Sequence, residues 1–414
     1  MPTIVINSPH LPNHLLGALS ADTDGVPRYW IIVWLDSLKP KLAKSTRRRY
    51  CRHLNTFYDY SEELYGRRTF DRAISDLDFD QIETILSGYL YRLRNLQKHE
   101  SSGNHAHDIW NTCTAFLFDL LNYLVPQSYD NKVGELFERL KHRVNLYDQL
   151  TLSAHARPTS AKVLPAAVLT ELCEIFNPNS SSNPFRTEKQ RWRNYLIFHL
   201  LTSLGVRRSE LLLLTTTSVK QDTFYGSNGC QTKTWISIEP PNVKIRDPRH
   251  TEPSLKTSFS ARNIPVNSEL TAIHDTYLRN FRTRSPYPYL LTSRNGLPLS
   301  TARVNSVFAR AKENLSNNAL NCIANGTPLS PHALRHTAAV YRIRKHIDQG
   351  DSLEIAVEKL RVFFGWAPTS QMPRLYARAY FESSHQDVWS ENFDRFIHGL
   401  RLTLGGRSHE QTRV

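Results

Sequence analysis

Residues 329–337, LSPHALRHT, constrain this chain more than any other stretch. Ser330 can accept from an orphan amide and Pro331 has no amide to leave unpaired, so a helix is predicted to start here. His332, Arg335 and His336 then stand at i, i+3 and i+4, and their side chains leave one face near the positive end of the helix dipole. Free amides, an imidazole and a guanidinium fork converging on one spot suit an anion, and a phosphate diester better than a small carboxylate. The two histidines also have the spacing of a zinc-binding helix. Ala333, however, stands where metalloproteases keep their general base, and Arg335 would repel a dication, so no metal and no other cofactor is expected.

Charge points the same way. Lys and Arg number 52 against 38 Asp and Glu, a net charge of +14 in a chain of 414 residues, and a polyanion is the natural partner. The length allows two domains, each with its own core. Five cysteines, widely scattered with no CxxC spacing, fit a reduced interior. Residues 1–20 lack the pattern of a secretion signal, and the most apolar run, 195–206, is too short and too polar to span a bilayer, so a soluble protein with no membrane partner is expected.

Read in order, residues 1–38 are expected to form an N-terminal arm, loose to about Val26, with an apolar stretch from Trp30 to Leu38. A basic run follows, in which Lys41, Lys44, Arg47, Arg48, Arg49 and Arg52 crowd ahead of a helix capped by Ser45 or Thr46. Tyr50, Leu54, Phe57 and Tyr58 recur at helical spacing as its buried face. The basic side chains stay outside, where a helix N-terminus can meet DNA phosphates. Further helices are predicted over 78–97, 108–125 and 133–150, making 39–150 a helical bundle. Polar residues 151–162, with Pro158, read as a linker. Helices are then predicted over 165–176, 187–204 and through LGVRRSELLLL, where Arg207 and Glu210 stand at i, i+3 with Arg208 adjoining. The pattern turns to β over 233–239 and 261–266, joined by a long connection with Lys256 at its downstream end. Helices return over 300–315, 330–346 and 352–364, the last ended by Gly365 and Pro368. RLYAR carries Tyr376, Tyr380 follows one helical turn later, and a final helix puts Trp389, Phe393 and Phe396 on one side before a polar tail, 405–414.

Together these pieces resemble the tyrosine recombinase (phage integrase) family. LGVRRSELLLL is similar to the family's first arginine box, HALRH to its histidine and arginine box, GW to its third box and RLYAR to its nucleophile segment, all in the family's order. The resemblance implies a mainly α chain with a small antiparallel β-sheet. A SAM-like, core-binding helical bundle would precede an α+β catalytic domain at 163–404. It implies that Arg207 and Arg335 hold the non-bridging oxygens of the scissile phosphate, that His332 and Trp366 add hydrogen bonds, and that Lys256 protonates the leaving 5′ oxygen. Lys233 and Lys244 share that stretch as alternatives. Tyr376 would attack phosphorus, with Glu210 and His336 in support.

Two arginines supply, without metal or ATP, the positive field that a phenol titrating near pH 10 needs to attack a diester. The implied activity is site-specific recombination through a 3′-phosphotyrosyl intermediate, integrating or excising a mobile element. The implied partners are double-stranded DNA, three further copies in a tetramer joined by C-terminal helix exchange, and accessory DNA-bending or directionality proteins. A cytoplasmic, DNA-associated and bacterial setting goes with it. A type IB topoisomerase, or a binding protein that kept the fold without the chemistry, would share much of the pattern.

Overall fold

The computed structural model describes residues 4–6, 17–40, 42–99, 103–127, 131–149, 163–226, 229–240, 247–324 and 329–384. The expected linker (151–162), the final helix with Trp389, Phe393 and Phe396, the tail, Lys41 and Lys244 lie outside them, as does the side chain of Tyr380. The chain divides into two compact units, 1–158 and 159–414. The architecture is mainly helical with a small antiparallel sheet, as the sequence implies.

The N-terminal unit is built on four long helices, α2 (Lys44–Tyr65), α4 (Phe79–His99), α5 (Gly103–Leu124) and α6 (Asn131–Gln149). The apolar stripes predicted for them meet in one core, with Leu54, Phe57, Leu86, Trp110 and Phe116 fully buried. A short helix between them, α3 (Thr69–Ser75), adds Phe70 and Ile74 and carries too little periodicity to read from sequence. Neither Ser45 nor Thr46 caps α2. The helix begins two to three residues earlier, at Lys44, with Ala43 at the cap position and no side-chain hydrogen bond there.

The segment expected as a loose arm is part of this unit. Strand β1 (Ile4–Ile6) pairs antiparallel with β2 (Gly17–Leu19), and α1 (Tyr29–Val33) runs on into a wider π-helical turn, Trp34–Leu38. Trp30, Ile31, Trp34 and Leu35 enter the core. Polar contacts without periodicity fix the segment: buried Arg28 donates to Asp59 and Glu62, both at 2.9 Å.

The C-terminal unit begins with α7 (Ala166–Phe176), α8 (Glu188–Ser203) and α9 (Arg208–Leu213). A three-stranded antiparallel sheet follows in the order β3 (Val219–Gly226), β4 (Gly229–Ile238), β5 (Arg262–Pro265). Sequence patterning gave β4 and β5 but missed β3, which pairs with β4 from Val219 opposite Ile236 to Gly226 opposite Gly229. The long β4 to β5 connection is anchored by Arg249, whose buried guanidinium donates to the carbonyls of Leu212 (3.0 Å) and Leu299 (3.2 Å) and pairs with Asp247. Helices α10 (Ser268–Thr276), α11 (Thr301–Lys312), α12 (Asn317–Ala324), α13 (Pro331–Asp348), α14 (Leu353–Phe364) and α15 (Met372–Ser384) complete the unit. Leucine-rich α8 is buried along most of its length at the centre of the larger core. A second apolar cluster joins α13, α14 and α15. No described helix is long and apolar enough to cross a membrane.

Candidate active site

Helix α13 starts as its sequence predicts, with the Ser330 hydroxyl accepting from the Ala333 amide (3.2 Å) and Pro331 in the first turn. His332 in that turn is exposed, while Arg335 and His336 are buried. The rings of His332 and His336 lie 4.3 Å apart, and that of His336 lies 5.4 Å from Tyr376. Arg335 is only 2% exposed, and its Nη2 donates to the carbonyl of Phe364 at 2.9 Å. Its Nη1 donates to the carbonyl of Gly205.

Those carbonyls flank two glycines that the packing requires. Gly205 has φ +56°, and a Cβ there would fall 2.4 Å from the Phe364 ring. Gly365, the left-handed cap of α14, has φ +60°, and a Cβ there would fall 2.7 Å from the carbonyl oxygen of Phe259.

Arg207 sits at the cap of α9. Its amide donates to Glu210 Oε2 (2.8 Å), and its Nη1 donates to Glu210 Oε1 (2.5 Å) and to the Ser260 hydroxyl (3.1 Å). Adjacent Arg208 is exposed and donates instead to Asn305 (2.7 Å), so of the two arginines it is Arg207 that faces the cluster.

Glu210 is the hub. Its carboxylate is fully buried and receives Arg207, Arg262 (3.1 Å) and, at 3.7 Å, Arg335. Burial alone would raise the Glu210 pKa, but Arg262, Arg335 and Arg207 together hold it below the ordinary glutamate range. Burial pulls Arg335 down to about 9, which leaves it charged at neutral pH.

Tyr376 on α15 completes the cluster. Its ring stacks on Trp366 (centroids 5.4 Å apart, planes 16° apart), and Trp366 stacks in turn on Phe364 (4.8 Å, 11°). The Arg335 guanidinium carbon lies 5.5 Å from the centroid of Trp366, so arginine, indole and phenol form a continuous set of contacts. The Tyr376 hydroxyl is buried with no hydrogen-bond partner among the described residues. Burial pushes its phenol up to about 12, against the opposing pull of Arg335 and Arg207.

The structure therefore gathers Arg207, Glu210, Arg335, His336, Trp366 and Tyr376, with His332 at the rim. Lys256 is exposed on the β4 to β5 connection, just upstream of Ser260, while Lys233 lies within β4 opposite Asp222. Sequence reasoning missed Arg262 and Ser260. The available signal was a basic residue opening the strand ARNIPV, read there only as a strand former.

In the N-terminal unit Lys44, Arg49 and Arg52 are exposed and Arg48 is half-buried. Arg47 does not belong with them as an outward-facing group. Its Nε donates to the Ala18 carbonyl (2.8 Å) and its Nη1 pairs with Asp36 (2.5 Å), because the first turn of α2 packs on β2.

A sequence model described as the phage integrase family matches residues 163–382. No curated protein sequence matches the chain. Among solved structures, similarity is found to the XerH site-specific recombinase bound to palindromic difH substrate, at 14% identity over 85% of this chain and 82% of that one, TM-score 0.49. It is also found to a lambda integrase dimer bound to a COC′ core site, at 13% identity over 93% and 99%, TM-score 0.44. The Tn1549 transposon integrase in complex with transposon right end DNA matches at 18% identity over 64% and 81%, TM-score 0.34.

Proposed function

Because this chain belongs to the phage integrase family of tyrosine-type site-specific recombinases, we propose that it cleaves and rejoins duplex DNA through a 3′-phosphotyrosyl intermediate. The observation that carries this reading is the sharing of one buried carboxylate, Glu210, by Arg207 and Arg335 beside the buried hydroxyl of Tyr376, which has no hydrogen-bond partner among the described residues. A buried hydroxyl without a partner costs about 1–3 kcal/mol, which a protein tolerates where a ligand or reaction will use the group.

In this reading Arg207 and Arg335 bind the non-bridging oxygens, and His332 and Trp366 donate to them from the rim and the stack. The Tyr376 oxygen forms a bond to phosphorus as the bond from phosphorus to the 5′ oxygen breaks. The departing electron pair takes a proton from Lys256, and the phenolic proton leaves to solvent. One phosphodiester replaces another, so rejoining by the reverse steps needs no ATP. A phenol held near 12 is on its own a poor nucleophile at neutral pH. The two guanidiniums stabilise both the phenolate and the charge that grows on the phosphorane. Lys44, Arg48, Arg49 and Arg52 contact phosphates along the duplex. Strand exchange requires four such sites, hence a tetramer on DNA joined by C-terminal segments and assisted by accessory DNA-bending proteins. The biological role is integration or excision of a mobile element.

The test uses nicked duplexes spanning the DNA that flanks the coding region. Wild type should trap a covalent adduct that survives denaturation, and Tyr376→Phe should trap none. An adduct with the Phe variant moves the nucleophile elsewhere, and wild type that never forms one removes catalysis from the reading.

A further inference from the structure

We infer that Arg262 is a positioning residue that holds the phosphate-binding arginines in register, an assignment that rests on the recombinase reading of Arg207 and Arg335. Its side chain is 8% exposed and each nitrogen of its guanidinium is committed. Nε donates to the Phe363 carbonyl (2.7 Å), Nη1 to the Ser260 carbonyl (2.7 Å) and Nη2 to Glu210 Oε2 (3.1 Å). Each acceptor belongs to, or directly precedes, a residue that holds a catalytic arginine. Ser260 and Glu210 are the side-chain acceptors of Arg207. Phe364, next to Phe363, gives its carbonyl to Arg335. The planar fork of one side chain thus ties together the α9 cap, the turn ahead of β5 and the end of α14 that leads into Trp366.

Charge adds a second argument. Three guanidiniums around one carboxylate leave two positive charges, which matches a dianionic phosphorane better than a monoanionic diester, so the cluster favours the transition state over the ground state. Without Arg262 the remaining excess would match only the ground state.

The experiment first captures cleavable sites from a pool of random nicked duplexes as wild-type covalent adducts. First-turnover cleavage of a captured duplex is then compared for wild type, Arg262→Lys, Ser260→Ala and, as control, Arg335→Lys. Arg262→Lys keeps a charge but cannot span three acceptors, and should slow cleavage about 100-fold while binding of the duplex stays within about threefold. The deficit should shrink to about fivefold or less when the scissile phosphate is replaced by a neutral methylphosphonate, which asks less of the cations. A purely structural defect would persist on both substrates. Should Arg262→Lys melt below the assay temperature, Ser260→Ala, which removes the hydroxyl that meets Arg207 and Thr257 and leaves the carbonyl that Arg262 uses, should give a smaller deficit with the same phosphonate relief, and no deficit would overturn the assignment. Cleavage by Arg262→Lys within about threefold of wild type, or a deficit equal on both substrates, overturns the assignment. If Arg335→Lys also cleaves like wild type, the reading of the arginine pair fails as well. A crippled Arg335→Lys beside an unaffected Arg262→Lys sinks the Arg262 assignment alone.

Discussion

One cation faces several carboxylates in the N-terminal unit, whereas one carboxylate faces three cations in the C-terminal unit. Arg28, 3% exposed, pairs with Asp59 and Glu62 and lies 4.5 Å over the ring of Tyr58, whose hydroxyl donates to Asp71. Burial raises the pKa of Asp59, Glu62 and Asp71 despite the pull of Arg28. Around Glu210 the balance is inverted and the carboxyl is held low. Both clusters are ion networks built on one buried group, Arg28 in the first and Glu210 in the second, yet the first leaves no positive charge over and the second leaves two. Only the second can offer charge to a phosphate without drawing it from the fold.

The largest effect should come from removing the hub. Glu210→Gln strands three guanidiniums, two of them nearly buried, and should lower stability by about 3–5 kcal/mol, the usual result of leaving buried charge unpaired. Cleavage should fall at least about 100-fold as Arg207 and Arg335 lose their common anchor. Urea unfolding of the full chain and first-turnover trapping measure the two quantities. A stability loss under about 1 kcal/mol would mean that the cations around Glu210 are solvated rather than buried.

The second effect is smaller and turns on pH. Arg28→Met leaves Asp59 and Glu62 without their partner and should cost about 2 kcal/mol at pH 7, less than a fully buried pair because both carboxylates are partly solvated. The sign follows from linkage. Folded-state values raised above the unfolded ones mean that the folded unit binds protons more tightly, so the contribution of Asp59 and Glu62 grows as pH falls through their raised values toward about 4. The cost of Arg28→Met should shrink over the same window. Glu210 responds in the opposite sense. Its contribution is complete above about pH 4.3 and is lost below that as pH falls through its lowered folded value. Hydrogen exchange followed on peptides of α2 and α9 across pH 7 to 3.5, corrected for intrinsic rates, reads the two units separately. Parallel pH responses in both would break the contrast.

What could be read from the sequence follows the range of the contacts. The Ser330 cap with Pro331, the spacing of Arg207 and Glu210 and the placement of Tyr376 on a helix are local, and local rules express them. Arg262 escaped because its three acceptors lie on segments that only the fold brings together, and nothing in ARNIPV distinguishes a buried fork from an exposed strand end. The carbonyls of Gly205 and Phe364 are main-chain groups and carry no sequence signal at all. Strand β3 was missed although the SNG triplet at 227–229 is a hairpin signal, because VKQDTFYG alternates too weakly to stand out. The first residues of the bundle were misread for the opposite reason. Their order comes from buried Arg28 and half-buried Arg47, charged residues whose contacts periodicity does not announce.

The smallest effect tests the finest distinction within the cationic cluster. Arg207 and Arg208 are neighbours of identical chemistry, and only their acceptors separate them: a buried carboxylate for the first, the exposed Asn305 side chain for the second. Arg208→Ala removes a solvated hydrogen bond and should change stability by no more than about 0.5 kcal/mol, leaving cleavage within about threefold. Arg207→Ala, measured beside it, should slow cleavage about 100- to 1,000-fold, the range for deleting one donor to a developing oxyanion. The pair is informative because net charge changes equally in both. A uniform effect of charge on DNA affinity would move the two together, whereas a directional donor predicts that one variant fails and the other does not. Equal losses would assign the cluster to general attraction for the duplex and would take from Glu210 the aiming role that its three arginines imply.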